Sequence, residues 1–386
     1  MRTYEEINSR IESGDAVVMT AEEVKAFAAE HGVEKVEREV DVVTTGTFGA
    51  MCSSGAFVNF GHSEPPIKMA KVWLNDVPSY AGLAAVDAYI GATELSESAP
   101  CGYGGAHVIE DLVGGKAVHL RASAAGTDCY PRKDIDTYIS LRTVNQAYLY
   151  NPRNAYQNYA VATNSSDRVL YTYMGKLLPH NGNATFSSAG QLSPLLNDPQ
   201  LLTIGMGTKI FLGGGIGYVS WEGTQYKTNV SVRNGLPVGA ARTLAVMGDL
   251  RGMSPEYVRG LYFTGYGCSL GLGIGIPIPI LNGEIAKAVS VTEDQIFAQV
   301  LDYSVQSRAR KPIREVSYQE LRSGTIDIGG KEVRTSSLSS YRKALKIAKE
   351  LKEWIENGQF DLVRPAGEFP AERSQKALEV LSREEA

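Results

Sequence analysis

The segment Val40–Gly55, VDVVTTGTFGAMCSSG, decides how the chain around it folds. Its first six residues, Val40–Thr45, are rich in β-branched side chains and predict a buried strand. The small and hydroxyl-bearing residues that follow predict a loop whose backbone N–H groups can approach an anion or carboxylate closely. The loop is therefore a candidate site, with Cys52 as a thiol and Ser53, Ser54 and Gly55 as substrate-binding residues.

Helix signals lie on both sides of this segment. Residues 341–357 have the apolar period of an amphipathic helix, which Gly358 ends. Further helices are predicted where a threonine is followed three residues later by a glutamate or glutamine, the spacing of a capping box. These pairs are Thr3 with Glu6, Thr20 with Glu23, and Thr292 with Gln295.

Strand-like and helical segments alternate without a regular repeat or a low-complexity linker. Residues 205–221 form a glycine-dense strand region, and residues 325–333 around Gly329-Gly330 predict a β-hairpin. We therefore predict an α+β fold with one large mixed-sheet body, surrounding helices and a C-terminal helical appendage. Residues 1–335 are predicted to be the catalytic body, and residues 336–386 the C-terminal helix and tail.

Composition excludes several classes of protein. The net charge of -5 and the absence of a Lys/Arg block argue against a nucleic-acid partner. The longest apolar run, Leu270–Leu281, is too short to span a bilayer, and the N-terminus has no signal-peptide core, so a cytoplasmic location is expected. The four cysteines contain no C-x-x-C pair, so neither a disulfide framework nor an intrinsic metal is expected.

The segment Gly126–Lys133 carries the second candidate thiol, Cys129. Pro131 biases the residue before it towards extended backbone, so Cys129 is predicted on a loop or at a strand end. Arg132 and Lys133 supply positive charge, which favours the reactive thiolate form of a nearby cysteine. The alternative from local sequence alone is a small buried side chain beside a surface turn.

Two further segments carry candidate side chains. Pro65-Pro66 predicts an extended backbone, so His62 and Lys68 are expected outside a helix. His62 is a candidate acid–base group and Lys68 a candidate anion partner. The alternative is a turn histidine and a solvated lysine. The glycine-rich segment 101–107 brings a thiol and an imidazole, Cys101 and His107.

Other catalytic motifs fail. Residues 267–271 satisfy the serine-hydrolase pattern G-x-S-x-G, but the residues that follow are a poor helix and every histidine precedes Ser269. No G-x-G-x-x-G dinucleotide pattern occurs. Thiol chemistry remains, since Cys52, Cys101, Cys129 and Cys268 all lie in loop-like or glycine-rich settings.

Four blocks of this sequence resemble the homocysteine-biosynthesis family of anaerobes, formerly a domain of unknown function. They are Val42–Gly55, Asn59–Lys68, Gly126–Arg132 and Gly265–Cys268. The resemblance covers nearly the whole chain. Some members of the family continue into a pair of CBS domains, which this sequence does not contain, so nucleotide sensing of that kind is not implied.

The resemblance implies an aspartate semialdehyde sulfurtransferase in which Cys129 carries sulfur as a persulfide and delivers it to the aldehyde carbon, giving homocysteine. Addition to an aldehyde creates an oxyanion, and His62, Lys68 or Arg132 is a candidate to stabilise it. An arginine or the backbone of the Cys52 loop would suit the substrate carboxylate.

Conversion of an aldehyde and sulfide to a thiol consumes two electrons. No intrinsic cofactor is expected, so a second thiol or an external protein must supply reduction. The candidates for the second thiol are Cys52, Cys101 and Cys268, in that order. By resemblance, the electron donor is a small ferredoxin-type iron–sulfur protein, and a homo-oligomer is compatible with the sequence.

Two alternatives remain at this stage. The chain could be a non-catalytic persulfide carrier or scaffold subunit, which would transfer sulfur stoichiometrically and not catalytically. An O-acylhomoserine sulfhydrylase would need pyridoxal phosphate on a lysine, and no lysine setting in the sequence indicates such a site.

Overall fold

The computed structural model describes residues 2–154, 158–307 and 310–380. Eight α-helices occur in these ranges, most of them short and packed on sheets. They are α1 (Tyr4–Ser13), α2 (Ala21–His31), α3 (Val33–Glu39), α4 (Gly105–Val113), α5 (Pro194–Asn197), α6 (Gly283–Val289), α7 (Tyr318–Arg322) and α8 (Tyr341–Glu356).

Strands make up the larger share of regular structure in the described residues. They are β1 (Val18–Thr20), β2 (Val42–Thr44), β3 (Thr47–Ala50), β4 (Gly55–Asn59), β5 (Lys71–Leu74), β6 (Val77–Ser79), β7 (Asp87–Gly91), β8 (Val118–Ser123), β9 (Asp134–Ile139), β10 (Gln146–Asn154), β11 (Val161–Thr163), β12 (Leu170–Thr172), β13 (Gly175–Leu177), β14 (Ala184–Phe186), β15 (Lys209–Leu212), β16 (Gly215–Glu222), β17 (Val232–Arg233), β18 (Leu236–Pro237), β19 (Leu244–Asp249), β20 (Val258–Phe263), β21 (Gly267–Gly275), β22 (Pro277–Pro279), β23 (Phe297–Asp302), β24 (Arg314–Ser317), β25 (Thr325–Ile328) and β26 (Lys331–Ser337).

The largest sheet is antiparallel, in the order β20-β21-β15-β16-β19-β10-β4-β7, and β3 adds to β21. Side chains alternate along its strands, as in β4, where Ala56 and Val58 are buried and Phe57 is half-buried. Helix α4 contacts β20 at one end of this order and β7 at the other. The sheet is therefore strongly curled, with α4 between its two ends.

Smaller sheets surround this body. A mixed six-stranded sheet has the order β24-β23-β11-β14-β26-β25, a four-stranded sheet the order β6-β5-β8-β9, and a three-stranded sheet the order β1-β2-β22. Parallel pairs occur at β1–β2, β11–β23 and β14–β26. The prediction of an α+β fold with a large mixed-sheet body is confirmed.

The C-terminal helix α8 packs on the same body. Its apolar stripe of Ile347, Leu351 and Ile355 is fully buried, and the helix contacts β1, β3 and β21. The methyl groups of Ile347 lie so close to Gly273 and Gly275 of β21 that a side chain at either glycine would collide with them. The division at residue 335 stays a prediction, and residues 381–386 lie outside the described residues.

A buried lysine links α2 to this core. Lys25 donates hydrogen bonds to Asn197 Oδ1 and to the carbonyl oxygen of Val289, at 2.8 Å each. Its burial lowers the pKa of the ammonium group to about 7, although the Glu293 carboxylate opposes this. At neutral pH the folded protein thus holds a proton on Lys25 only weakly.

The lowered pKa of Lys25 should make the free energy of unfolding depend on pH. Between about pH 7 and 10 the unfolded chain binds the proton on Lys25 and the folded chain does not, so the free energy of unfolding rises with pH, by up to about 1.4 kcal/mol per pH unit. Lys25→Met should remove this contribution. Urea unfolding of both proteins at about pH 7 and 9 measures it; parallel pH dependences would contradict the prediction.

No helix in the described ranges is both long and apolar enough to cross a membrane.

Candidate functional site

A cavity of about 320 Å³ opens where the β3–β4 turn approaches the end of β10 and the β20–β21 turn. The predicted loop after Thr45 is shorter than expected, because Thr47–Ala50 forms β3 against β21 and only residues 51–54 turn. The residues that matter for chemistry in the cavity wall are Cys52, Ser53, Arg153, Tyr173 and Tyr266.

Cys52 is half-buried in this turn, and a strand positions its sulfur. The antiparallel register pairs Ala50 with Gly271, and the Met51 N–H donates to the Leu270 carbonyl, so Cys52 comes beside Ser269. The Ser269 hydroxyl donates to Cys52 Sγ at 3.2 Å, and the Tyr266 hydroxyl lies 4.0 Å from the same sulfur. Both donors can stabilise a thiolate at Cys52.

Tyr266 remains protonated at neutral pH. Its partial burial, and then the neighbouring Cys52, raise the pKa of the phenol to about 12, while Arg153 opposes the shift. A protonated phenol in the cavity wall can donate a hydrogen bond to a substrate oxygen.

Arg153 supplies positive charge to the same cavity. Its Nε donates to Ser53 Oγ at 3.3 Å, and its own backbone N–H donates to Asn151 Oδ1 at 2.9 Å. Within the described ranges, no carboxylate forms an ion pair with Arg153. The guanidinium is thus available for a substrate carboxylate.

Ser54 and Gly55, two predicted binding residues, lie behind the cavity wall. Ser54 is buried, and its hydroxyl accepts a hydrogen bond from Asn151 Nδ2 at 2.9 Å. At Gly55 a Cβ would lie 2.7 Å from the backbone carbonyl oxygen of Ile90, which cannot move aside, so only glycine fits. Their role in binding stays a prediction; in the structure they shape the turn that presents Cys52 and Ser53.

Cys268 and His107 face away from this cavity. Cys268 of β21 pairs with Tyr262 of β20, and its buried Sγ lies 3.8 Å from His107 Nδ1. Burial raises the pKa of the Cys268 thiol and lowers the pKa of His107. Cys101 is exposed nearby, beside the Tyr262 hydroxyl. These three predicted residues form a second thiol cluster, on the side of α4.

The third group of predicted residues surrounds Cys129. Its loop joins β8 to β9, where the backbone N–H groups of Thr127 and Tyr130 each donate to the other residue's carbonyl oxygen, and Cys129 is exposed. The Tyr130 ring stacks on His62 with ring centroids 6.1 Å apart.

Arg132 fastens this loop to the segment after β4. Its guanidinium donates to the carbonyl oxygens of Glu64 at 2.6 Å and Pro65 at 3.0 Å, and its backbone N–H donates to Pro66. Lys68 is exposed beside the same segment. The structure thus brings His62 and Arg132 to the Cys129 loop, and none of these three residues lines the Cys52 cavity.

Comparison with known proteins identifies the family. Residues 16–362 match the sequence profile of the family described as homocysteine biosynthesis enzyme, sulfur-incorporation. The chain belongs to this family. As a homocysteine-biosynthesis enzyme it is a sulfurtransferase, so the family and the type of enzyme expected from the sequence resemblance are confirmed.

Three archaeal relatives are similar to this homocysteine-biosynthesis enzyme. An L-aspartate semialdehyde sulfurtransferase of Methanosarcina acetivorans is 54% identical over 377 residues, covering 98% of this chain and 74% of the relative. One of the same name from Methanocaldococcus jannaschii is 51% identical over 375 residues, covering 93% and 72%. An uncharacterized protein of Methanothermobacter thermautotrophicus is 30% identical over 335 residues, covering 84% and 73%. No solved structure is significantly similar.

Sequence reasoning missed three residues of the candidate site of this homocysteine-biosynthesis enzyme: Arg153 and Tyr266, which line the cavity, and Ser269, which is buried behind Cys52. The sequence singled out Ser269 only through the G-x-S-x-G pattern, which was rejected as a hydrolase motif. Tyr266 lies in one of the blocks that carry the family resemblance, which was a usable signal. Arg153 stands in an Asn- and Tyr-rich stretch with no local signal, and only the register of β10 beside β4 brings it to Ser53.

The Ser269 hydroxyl should control the reactivity of Cys52. Ser269→Ala removes its hydrogen bond to the thiolate, worth about 1.5 kcal/mol, so alkylation of Cys52 by iodoacetamide should slow about tenfold. Peptide mapping reads the rate at Cys52 separately from the other cysteines. Ser193→Ala, a serine of the cavity wall, is the control; equal rates in both variants would contradict the role of Ser269.

Proposed function

We propose that this enzyme converts L-aspartate semialdehyde and sulfide-derived sulfur to L-homocysteine through a cysteine persulfide, with electrons from an external donor. Support comes from the names of two relatives more than half identical in sequence. The observation that carries the proposal is the Cys52 cavity, which combines a thiol, a protonated phenol and an arginine that pairs with no carboxylate among the described residues.

The cavity matches the groups of the substrate. The α-carboxylate of aspartate semialdehyde would bind the Arg153 guanidinium as a charge-assisted pair, with the Ser53 hydroxyl beside it. The Tyr266 hydroxyl, held near Cys52, would donate to the aldehyde oxygen and stabilise the negative charge that develops there. The reacting carbon then lies next to Cys52 Sγ.

The chemistry balances with two thiols. The terminal sulfur of a Cys129 persulfide adds to the aldehyde carbon, a C–S bond forms and the oxygen takes a proton. The Cys52 thiolate then attacks the Cys129 sulfur, forming a disulfide and releasing the thiohemiacetal. Loss of water gives a thioaldehyde, which two electrons and two protons reduce to the thiol of homocysteine.

The electrons come from outside the chain in this proposal, from a ferredoxin-type iron–sulfur protein. Cys129 is exposed on a loop that Arg132 fixes, where hydrosulfide can reach it. Hydrosulfide attacks the Cys129 sulfur of the Cys52–Cys129 disulfide that ends each cycle, the persulfide forms and Cys52 leaves as a thiolate. Arg132 uses its guanidinium on two carbonyl oxygens, so we assign it to positioning of this loop and not to the oxyanion. His62, stacked on Tyr130, belongs to the same support.

A persulfide carrier is the second candidate function, and the exposure of Cys129 favours it. Turnover distinguishes the two. Purified protein should form many equivalents of homocysteine from aspartate semialdehyde and sulfide when a low-potential reductant is present. A yield that stops at one sulfur per chain would contradict the enzyme and support the carrier.

A further inference from the structure

We propose that each Cys52 cavity is completed by the Cys129 loop of a second copy of this chain. The inference rests on the proposed function, which uses both thiols in one catalytic cycle. It adds the partner of that site, an identical subunit, and it makes the active centre an intersubunit one.

Within one chain the two thiols lie at opposite ends of β4. Cys52 stands just before Gly55, the first residue of the strand, while His62 stands just after its last residue, Asn59, and stacks on Tyr130 beside Cys129. Five residues at about 3.4 Å per residue keep the ends of β4 about 14 Å apart. A disulfide requires Cα atoms within about 7 Å.

The Cys129 loop cannot cross this distance on its own. Strands β8 and β9, which carry it, pair along six residues from Val118–Ile139 to Ser123–Asp134. Arg132 anchors its far side through three hydrogen bonds to Glu64, Pro65 and Pro66. The loop is therefore held at the His62 end of β4, and a Cys129 that reaches the cavity must belong to another copy.

A surface suitable for contact with a second copy lies between the two ends of β4. The outward side of the large sheet carries apolar and aromatic residues across five neighbouring strands, and the buried side chains point to the other side. Tyr148 is 38% exposed and Tyr218 47% exposed. We call these residues the outer sheet surface: Phe57, Tyr89, Tyr148, Tyr150, Met247 and Tyr218.

Two-fold symmetry of this surface joins the thiols. A two-fold axis in the plane of the contact and perpendicular to β4 reverses the strand direction between the copies. The Cys52 end of β4 in one copy then faces the His62 end in the other, where Cys129 is exposed. One contact produces two equivalent centres, each with Cys52 from one subunit and Cys129 from the other.

Sulfur loading follows without an added oxidant. In the resting centre Cys52 and Cys129 of the two subunits form a disulfide. Hydrosulfide attacks the Cys129 sulfur, a new S–S bond forms, the intersubunit S–S bond breaks, and Cys52 leaves as a thiolate. The oxidation level of the disulfide passes to the persulfide, and the later attack of Cys52 on Cys129 restores the disulfide.

A heterodimer of two inactive variants tests the inference. Cys52→Ser and Cys129→Ser, on differently tagged chains, are co-expressed, and the mixed dimer is isolated through both tags. Each single variant should be inactive. The mixed dimer retains one centre with both thiols, so it should show about half of the wild-type activity per dimer. Non-reducing electrophoresis should show a covalent dimer for wild type and none for either single variant.

The outcomes separate this inference from the proposed function. An inactive mixed dimer, or a mixed dimer that does not form, would overturn the intersubunit centre while leaving the two-thiol reaction in place. Full activity of either single variant would overturn the two-thiol reaction and with it this inference. Tyr218→Glu should give monomers and lose turnover, whereas Val232→Glu, which is more exposed and lies outside the outer sheet surface, should remain dimeric. A fully active Tyr218→Glu monomer would also overturn the inference.

Discussion

Cys129→Ser is expected to abolish homocysteine formation from aspartate semialdehyde and sulfide, by about 10³-fold or more. A serine hydroxyl cannot hold sulfur as a persulfide, so no sulfane sulfur reaches the aldehyde. The exposed position of Cys129 means that the substitution should leave folding intact, which circular dichroism checks. Initial rates of homocysteine release, measured with a low-potential reductant, give the result.

The other cysteines separate the possible roles of the second thiol. Cys52→Ser should also lose turnover, and it should accumulate no sulfur on Cys129 from sulfide, because hydrosulfide loads Cys129 only by opening its disulfide with Cys52. Cys101→Ser should retain activity, since its sulfur lies on the α4 side and not in the cavity. Loss of activity in Cys101→Ser with retention in Cys52→Ser would reverse this assignment.

Arg153→Met should lower kcat/KM for aspartate semialdehyde about 10²-fold. The reason is loss of a charge-assisted pair with the substrate carboxylate, worth about 1.5–3 kcal/mol. Arg153→Lys should recover part of the loss, because it keeps the charge but not the two-pronged geometry. Steady-state kinetics with varied aldehyde measure both variants.

A substrate without the carboxylate provides the control for Arg153. Butanal offers the same reacting group with no α-carboxylate, so wild type and Arg153→Met should use it equally poorly. If Arg153→Met lowers the rates of both aldehydes by the same factor, Arg153 supports the cavity and does not bind the carboxylate.

Local signals predicted the ends of the chain well. The capping boxes at Thr3 and Thr20 open α1 and α2 with both reciprocal hydrogen bonds, and residues 341–356 form the amphipathic helix α8. These elements depend on hydrogen bonds and packing periods that a short window of sequence contains.

Long-range pairing overturned a similar signal elsewhere. Thr292 and Gln295 have capping-box spacing, and Thr292 does bond to the Gln295 side chain, but the helix predicted there is wrong. Residues 297–302 form β23 instead, parallel to β11 and antiparallel to β24. Tertiary pairing with two partner strands outweighs a local preference that is small per residue.

The candidate site also combines features that local sequence predicts with features that only long-range pairing creates. The Cys52 turn was recognised from its own residues, but its hydrogen-bond donor Ser269 lies 217 positions along the chain and is brought there only by the β3–β21 pair. The sequence also could not show that Cys52 and Cys129 stand at opposite ends of β4, because this depends on where the β8–β9 loop is anchored.

Sulfur mapping tests the central claim most directly. The oxidised protein, in which Cys52 and Cys129 form a disulfide, is incubated with isotopically labelled sulfide, and intact-mass spectrometry with peptide mapping locates the label. The account predicts a gain of one labelled sulfur on the Cys129 peptide, its loss on addition of aspartate semialdehyde with reductant, and its appearance in homocysteine. No adduct, or an adduct only on another cysteine, would contradict Cys129 as the sulfur carrier.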